Sequence, residues 1–159
     1  MMKPSKAEPT AGYASEVFRS KGYFVCGTDN AGGLRLSPVR EGKKIVVRFK
    51  PGKTWLGFSR AVHGGITATL LDEVVGIACG QRTDGKCATV ELTVEYKRPV
   101  LEGVEVRAEG WYVRRQGKLV LGCGRVIDAE GRVLAVGRGR FLPLDEEQVR
   151  RFVGDDASS

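Results

Sequence analysis

The chain has 159 residues, which is the length of one domain and enough to bury a core without disulfides or metals. Its net charge of +7 would suit nucleic acid, anionic lipid or an anionic small ligand. The basic residues are spread along the whole chain, with no basic helix and no aromatic-basic sheet surface, so we expect no nucleic-acid partner. No apolar run is long enough to span a membrane, so we expect no membrane insertion either.

The cysteines and the single histidine argue against a metal centre. No two cysteines form a CxxC pair, and His63 is too little to complete a common zinc site. The sequence predicts reduced, mostly buried thiols and no metal or other cofactor; the cysteines are Cys26, Cys79, Cys87 and Cys123. Residues 1–8 lack an apolar signal-peptide core, which favours a cytoplasmic location.

The first third of the chain has weak structural signals. Residues 1–10 read as a flexible tail, and residues 11–22 as a short helix. A loop over 27–33 precedes two strand candidates, at 34–36 and 44–50; apolar residues alternate in the second.

A long apolar stretch then predicts a helix over 64–80, after an irregular loop at 51–60. Asp72 and Glu73 interrupt it, and a carboxylate in a buried helix is costly unless it is compensated. A helix that is apolar nearly all round must be covered nearly all round.

Four strands follow, which we predict as an antiparallel meander over 87–98, 104–114, 118–127 and 132–142, with turns at 116–117 and 128–131. In the first of them Ala88, Val90, Leu92, Val94 and Tyr96 alternate with Thr89, Glu91, Thr93 and Glu95. A last helical turn or two is expected over 145–153.

The fold class predicted from this order is α+β, with a curved antiparallel sheet wrapped around one central helix. We expect a single domain over 11–145 and a C-terminal tail over 146–159. The sheet edge and apolar surface that remain exposed favour a homodimer, or a dimer of dimers as a homotetramer.

The helix start carries the candidate chemistry. His63 precedes Gly64 and Gly65, whose N–H groups at a helix start can bind an anion or a polarised carbonyl. Asp72 is a candidate base or nucleophile. Gly64 and Asp72 would lie about 12 Å apart along the axis, too far to meet one carbonyl. Two antiparallel helices across a two-fold axis would bring them together, which predicts a site shared between subunits.

Simpler interpretations exist for each residue. His63 alone is more often a cap or a packing residue, the glycine pair could merely allow close packing, and Asp72 or Glu73 could be a solvated charge. No GxSxG motif or hydrolase triad accompanies the histidine. The Gly-x-Gly pieces at 122–124 and 137–139 lie inside strands, which makes them poor phosphate loops.

The motif as a whole resembles a known family. His63-Gly64-Gly65, Leu71-Asp72, Thr89 and the strand end Tyr96-Lys97-Arg98-Pro99 are similar to the hot-dog-fold acyl-CoA thioesterases. Within them the chain resembles the branch of the phenylacetate-pathway (PaaI-like) enzymes and the human thioesterase-superfamily members, over about residues 30–143. The resemblance implies the hot-dog fold, a hydrolase acting on acyl-coenzyme A, and a homo-oligomer.

The resemblance also implies roles. Asp72 matches the catalytic carboxylate, as general base or nucleophile, and Gly64 the backbone donor that polarises the thioester carbonyl from the opposite subunit. His63 matches the histidine that shapes the loop, and Thr89 a Ser or Thr that places the water or the carboxylate. Glu73 matches no catalytic position.

Substrate contacts and one departure complete the comparison. Gly65, Lys97, Arg98 and Arg138 are candidates for binding the substrate, the last three on charge and strand position. Gly57 stands where many relatives carry Asn or Gln, six residues before His63. A non-catalytic acyl-CoA-binding regulatory module on the same fold is the alternative, and the retained Asp72 favours the enzyme.

Overall fold

A computed structural model describes residues 8–9, 22–83 and 85–153 of the chain. Its strands are β1 Glu8–Pro9, β2 Val39–Glu41, β3 Lys44–Phe49, β4 Cys87–Tyr96, β5 Val106–Gln116, β6 Leu119–Ile127 and β7 Val133–Pro143. Its helices are α1 Gly64–Gly80 and α2 Glu146–Val153, with a 3-10 turn at Lys53–Trp55. The helix predicted over 11–22 lies, apart from Gly22, outside the described residues.

The seven strands form one antiparallel sheet, in the order β1-β2-β3-β5-β6-β7-β4. It curves around α1, which packs against β3, β5, β6, β7 and β4. The predicted class, a hot-dog fold with one central helix, is confirmed. The meander is wrong in one respect, because β4 pairs with β7 at the end of the sheet and does not neighbour β5.

Close approach between α1 and the middle of the sheet depends on glycines. A Cβ at Gly110 would overlap the Val74 carbonyl group, and one at Gly122 would lie 2.6 Å from Val75 Cγ1. Gly122, Gly124 and Gly137, in the Gly-x-Gly pieces of β6 and β7, therefore give the helix room to pack. Leu70, Leu71 and Val74 are fully buried as a result.

The segment 22–36 covers another side of α1. The strand predicted over 34–36 is wrong, because Arg35 has a φ of 50° and interrupts extended backbone. The segment is held nonetheless, since Leu34 N–H donates to the Phe24 carbonyl and Leu36 N–H to the Val25 carbonyl. Both leucines are buried.

One narrow stripe of α1 stays partly open between this segment and β4. We call Gly65, Thr69, Asp72 and Gly76 the helix stripe; their spacing of three and four residues puts them on one helix face. None of the four is fully buried. The carboxylate of Asp72 therefore stands in the least covered part of a helix that is otherwise enclosed.

Candidate active site

The start of α1 is built around His63. His63 is the N-cap, and its Nδ1 accepts a hydrogen bond from Gly65 N–H at 2.9 Å. Its own N–H donates to the Trp55 carbonyl at 2.8 Å, which fixes the loop before the helix. An accepting Nδ1 is unprotonated, so a neutral ring carries its proton on Nε2. The capping interpretation of His63 is thus correct, and it decides which glycine N–H remains available.

Gly64 is the glycine whose donor remains free. Within residues 22–83 and 85–153, no group accepts a hydrogen bond from Gly64 N–H. The Gly65 N–H is taken by His63, so Gly65 offers no donor to a ligand in this arrangement. As the first residue of α1, Gly64 also lies at the positive end of the helix dipole. An oxygen that gains negative charge would be stabilised there.

Tyr96 holds the same peptide from the other side, a contact that the sequence did not reveal. Its hydroxyl donates to the Gly64 carbonyl at 2.8 Å, and its ring lies 3.4 Å from where a Cβ of Gly64 would be. The YKRP strand end therefore meets the helix start. Tyr96 was part of the recognised motif, but the acceptor of its hydroxyl depends on where β4 lies in the sheet, which the sequence did not predict.

Asp72 is paired with Thr89. The Thr89 hydroxyl donates to Asp72 Oδ1 at 2.9 Å, joining α1 to β4. Burial raises the pKa of the Asp72 carboxyl, and the Thr89 hydrogen bond opposes that rise. The carboxylate is therefore held in one position and partly desolvated. Among the described residues no side chain donates to its second oxygen, which leaves that oxygen for a water molecule or a carbonyl carbon.

A β-bulge makes this pair possible. Thr89 lies opposite Phe141 and Glu91 opposite Arg140, so Val90 is an extra residue in β4. Val94 packs against the core, and in regular alternation Thr89 would face away from it. The prediction that Thr89 shares the polar face with Glu91 is therefore wrong: the bulge turns Thr89 toward α1 and leaves Val90 55% exposed.

Glu73 lies beside Asp72 in sequence but in a separate environment. It is 6% exposed and accepts hydrogen bonds from the Tyr23 hydroxyl at 3.0 Å and the Cys26 thiol at 3.3 Å. Burial raises the pKa of Glu73 to about 7, although both bonds lower it. Burial and the charge of Glu73 raise the pKa of Tyr23 and of Cys26, so both remain protonated donors. The segment 22–36 thus shields Glu73 from the helix stripe.

A largely apolar cavity adjoins the helix start. Its volume is about 340 Å³, and its walls include Phe24, Trp55, Leu56, Ile66 and Thr69. His63 and Gly65 also line it. A cavity of this size accommodates a small organic group, and His63 and Gly65 in its wall place it beside the start of α1.

The candidate basic residues are distributed unequally. Lys97 and Arg98 directly follow Tyr96; Lys97 pairs with Glu95 at 2.7 Å, and Arg98 donates to the Val133 carbonyl at 2.9 Å. Arg138 follows Gly137, where a Cβ would meet Leu71 of α1, so the Arg138 side chain is on the opposite face of the sheet. The structure brings Arg138 close neither to Asp72 nor to Gly64.

Gly57 lies in a tight turn against His63. Its N–H donates to the Ala61 carbonyl, and a Cβ at this position would lie 3.1 Å from His63 Cα. A larger residue here would require His63 to move by a few tenths of an ångström. Phe58, at the tip of the same turn, is 83% exposed.

Within the described ranges, no three His, Cys, Asp or Glu side chains are grouped closely enough to hold a metal ion. None of the helices there is both long and apolar enough to cross a membrane. Of the cysteines, Cys26 and Cys79 are buried, and Cys87 and Cys123 are partly exposed.

A helix wrapped by a curved antiparallel sheet, with a histidine-capped Gly-Gly start and a carboxylate on the open stripe, defines the hot-dog class of proteins. Residues 60–138 match the thioesterase superfamily, and the chain belongs to that superfamily.

Two solved structures are similar in fold. A thioesterase superfamily protein is 29% identical with a TM-score of 0.64, covering 70% of this chain and 86% of its own. The PaaI protein from the phenylacetic acid degradation operon of E. coli is 18% identical with a TM-score of 0.63, covering 70% of this chain and 81% of its own.

Among curated proteins, the acyl-coenzyme A thioesterase THEM4 of Bos taurus is 33% identical over 108 residues, which cover 67% of this chain and 44% of THEM4. The chain spans about half the length of the curated relatives it matches.

Proposed function

We propose that the protein hydrolyses acyl-coenzyme A thioesters to the free acid and coenzyme A. The observation that carries the proposal is the pair of Asp72, held by Thr89, and the helix-start N–H of Gly64, which no group in the described ranges accepts. Membership in the thioesterase superfamily and the similarity to an acyl-coenzyme A thioesterase support the same substrate class. The cytoplasm stays the predicted location.

The chemistry follows from charge development. With Asp72 as general base, its carboxylate takes a proton from water and the oxygen adds to the thioester carbonyl carbon. With Asp72 as nucleophile, the carboxylate adds to that carbon itself, and water later cleaves the anhydride. In both routes the carbonyl oxygen becomes negative and accepts a hydrogen bond from the Gly64 N–H. Collapse breaks the C–S bond, and the leaving thiolate takes up a proton.

The two groups would come from different subunits. Both lie on α1, eight residues and about 12 Å apart along its axis, so one chain cannot direct both at one carbonyl. Strand β4 ends the described sheet, and its Val90 and Tyr96 are each 55% exposed. Two copies joined through β4 would place their α1 helices antiparallel, with Asp72 facing Gly64 of the partner subunit. We therefore propose a homodimer, alone or paired with a second one as a homotetramer, as the active unit.

The apolar cavity beside His63 is our candidate for part of the substrate. It lies beside the start of α1, and its walls of Phe24, Trp55, Leu56 and Ile66 suit an aliphatic or aromatic acyl group. Lys97 and Arg98, beside Tyr96, are our candidates for the coenzyme A phosphates. Arg138, on the other face of the sheet, could serve only a part of coenzyme A that passes around the edge at β4.

A panel of acyl-coenzyme A substrates with detection of free thiol tests the proposal. We expect turnover of at least one substrate without added metal or nucleotide. Asp72→Asn should lower kcat on the best substrate by about 10² to 10⁴, because the amide cannot act as base. Binding of acyl-coenzyme A without turnover by the parent would favour a regulatory binding module and contradict the proposal. An Asp72→Asn variant as active as the parent would contradict the role of Asp72.

A further inference from the structure

A second cavity lies at the other end of α1. Its volume is about 360 Å³, and its walls include Arg40, Lys43, Lys44, Arg82, Trp111 and Tyr112. Four of these side chains are basic and two are aromatic, and none of the residues that line the cavity is acidic. A cavity of this size is within the range of small-molecule sites.

Among the described residues, part of this positive charge has no carboxylate partner. Lys44 is paired with Glu109 at 2.9 Å and lies over the ring of Trp111 at 5.6 Å. Arg82 lies over the ring of Tyr112 at 5.8 Å. In the described ranges no carboxylate pairs with Arg40, Lys43 or Arg82, and Arg40 donates only its Nε, to the Gly42 carbonyl.

The end of α1 explains only one of these cations. A basic residue near a helix C-terminus is favoured by the helix dipole, which accounts for Arg82 just past Gly80. Arg40, Lys43 and Lys44 come from β2, the following turn and β3, and the dipole does not explain why they lie around the same cavity. Lys44 is paired with Glu109, so the hairpin cations that indicate an anionic ligand are Arg40 and Lys43, which have no carboxylate partner in the described ranges.

The cavity is separate from the thioester site. Ala78, in its wall, is six residues from Asp72, which places it about 9 Å along α1 and about 120° around it. Gln81, also in its wall, follows the end of α1. The body of α1, packed on β3 and β5, lies between the cavity and the helix stripe. A ligand in this cavity therefore cannot contact Asp72 of the same chain.

We propose that this cavity is a second ligand site that binds a nucleoside phosphate. The phosphates would be held by Lys43, Arg82 and the free guanidinium nitrogens of Arg40, through charge-assisted hydrogen bonds. The heterocycle would pack against Trp111 or Tyr112, and arginine and aromatic faces are the usual partners of a base. The site is independent of the proposed hydrolysis, because binding requires neither Asp72 nor turnover.

Calorimetric titration with ADP, AMP and inorganic pyrophosphate, at a fixed ionic strength of about 0.15 M, tests this site. We expect saturable binding of ADP, with pyrophosphate weaker by about tenfold because it lacks the stacking group. The double variant Lys43→Ala/Arg82→Ala should weaken ADP by about tenfold or more. All positions changed are exposed, and thermal melts verify that each variant is folded.

The matched control removes the same charge elsewhere. Lys50→Ala/Lys118→Ala replaces two exposed lysines outside the cavity and should leave the ADP affinity within about twofold. Asp72→Asn should also bind ADP like the parent, so failure of the hydrolysis would not affect this result. Absence of saturable ADP binding, or equal weakening in both double variants, would overturn the site. Inhibition by ADP that is competitive with acyl-coenzyme A would overturn its separation from the thioester site.

Discussion

The hydroxyl of Thr89 donates a hydrogen bond to Asp72 Oδ1 at 2.9 Å, across the gap between β4 and α1. The bond exists because Val90 is an extra residue in β4, which turns Thr89 toward the helix. It acts against burial, which raises the pKa of Asp72. Thr89 thus orients the carboxylate and keeps it ionised at a lower pH than burial alone would allow.

Thr89→Val should therefore shift the pH profile. Without the hydroxyl, the pKa of Asp72 rises further, so the acid limb of kcat/KM moves to higher pH. Thr89→Ser retains the donor and should stay near the parent. Thr93→Val makes the same chemical change on the outer face of β4 and serves as the control. The test is to measure kcat/KM against pH for the parent and the three variants. An acid limb with the same midpoint in Thr89→Val as in the parent would exclude Asp72 as the titrating group.

The Tyr96 hydroxyl supports the Gly64 carbonyl, so Tyr96→Phe should loosen the helix start. We expect kcat to fall by about three- to tenfold, since one neutral hydrogen bond is worth about 0.5–1.5 kcal/mol. KM should change less, because the hydroxyl positions a donor that acts mainly on the charged intermediate. Steady-state kinetics on the best substrate give this comparison, and a change confined to KM would show that Tyr96 contacts the substrate instead.

Glu73→Gln should separate the two neighbouring carboxylates. Glu73 is turned about 100° from Asp72 around the helix and is shielded by Tyr23 and Cys26. The variant should lower kcat by less than about threefold, against a loss of about 10² or more in Asp72→Asn. Parallel kinetics of the two variants decide this, and equal losses would mean that both carboxylates are needed.

The same variant should change how stability depends on pH. The pKa of Glu73 is raised to about 7 in the folded protein, from 4.5 for an ordinary glutamate. Between about pH 4.5 and 7 the folded state therefore holds a proton that the unfolded state has lost. The stability that this proton contributes is fully present below about pH 4.5 and is lost as the pH rises through about 7. The parent should lose about 2–3 kcal/mol of unfolding free energy between pH 5 and 8 that Glu73→Gln does not lose. Urea unfolding at pH 5 and pH 8 measures this loss. An equal change in unfolding free energy in the parent and in Glu73→Gln would contradict a raised pKa of Glu73.

Local patterns in the sequence predicted the elements that carry the site. The apolar run gave α1 with the bounds 64–80, and alternation with turn residues gave β3 to β7 within a few residues. The motif placed Gly64 and Asp72 on one helix and implied the Thr89 contact. These features depend on neighbouring residues or on a motif, and both are visible in a single sequence.

Long-range pairing could not be read in the same way. The placement of β4 beside β7, and the bulge at Val90, depend on which strand becomes the partner. The burial of Glu73 depends on the segment 22–36, which forms neither a helix nor a strand and whose Tyr23 and Cys26 contact Glu73 on α1. The left-handed backbone at Arg35 interrupts the strand predicted over 34–36, and an arginine side chain gives no indication of a positive φ.

Complementation between two inactive variants tests the shared site most directly. Gly64→Pro deletes the N–H at the first helical position, where proline is well tolerated, and the extended backbone of His63, with a ψ of 134°, suits a following proline. Gly64→Ala is the control, since it keeps the donor and its methyl would lie 3.4 Å from the Tyr96 ring, an ordinary contact. Each mixed dimer of Gly64→Pro and Asp72→Asn would contain one complete site and one that lacks both groups.

The measurement is the thioesterase activity of co-refolded Asp72→Asn and Gly64→Pro, with mixed dimers quantified by differential tags. Each variant alone should be nearly inactive, while Gly64→Ala retains activity. We predict that every mixed dimer recovers about half of the parent activity, as expected for independent sites. If both variants fold and form mixed dimers that remain as inactive as either variant alone, Asp72 and Gly64 of the partner subunit do not act on the same carbonyl, and the account is contradicted.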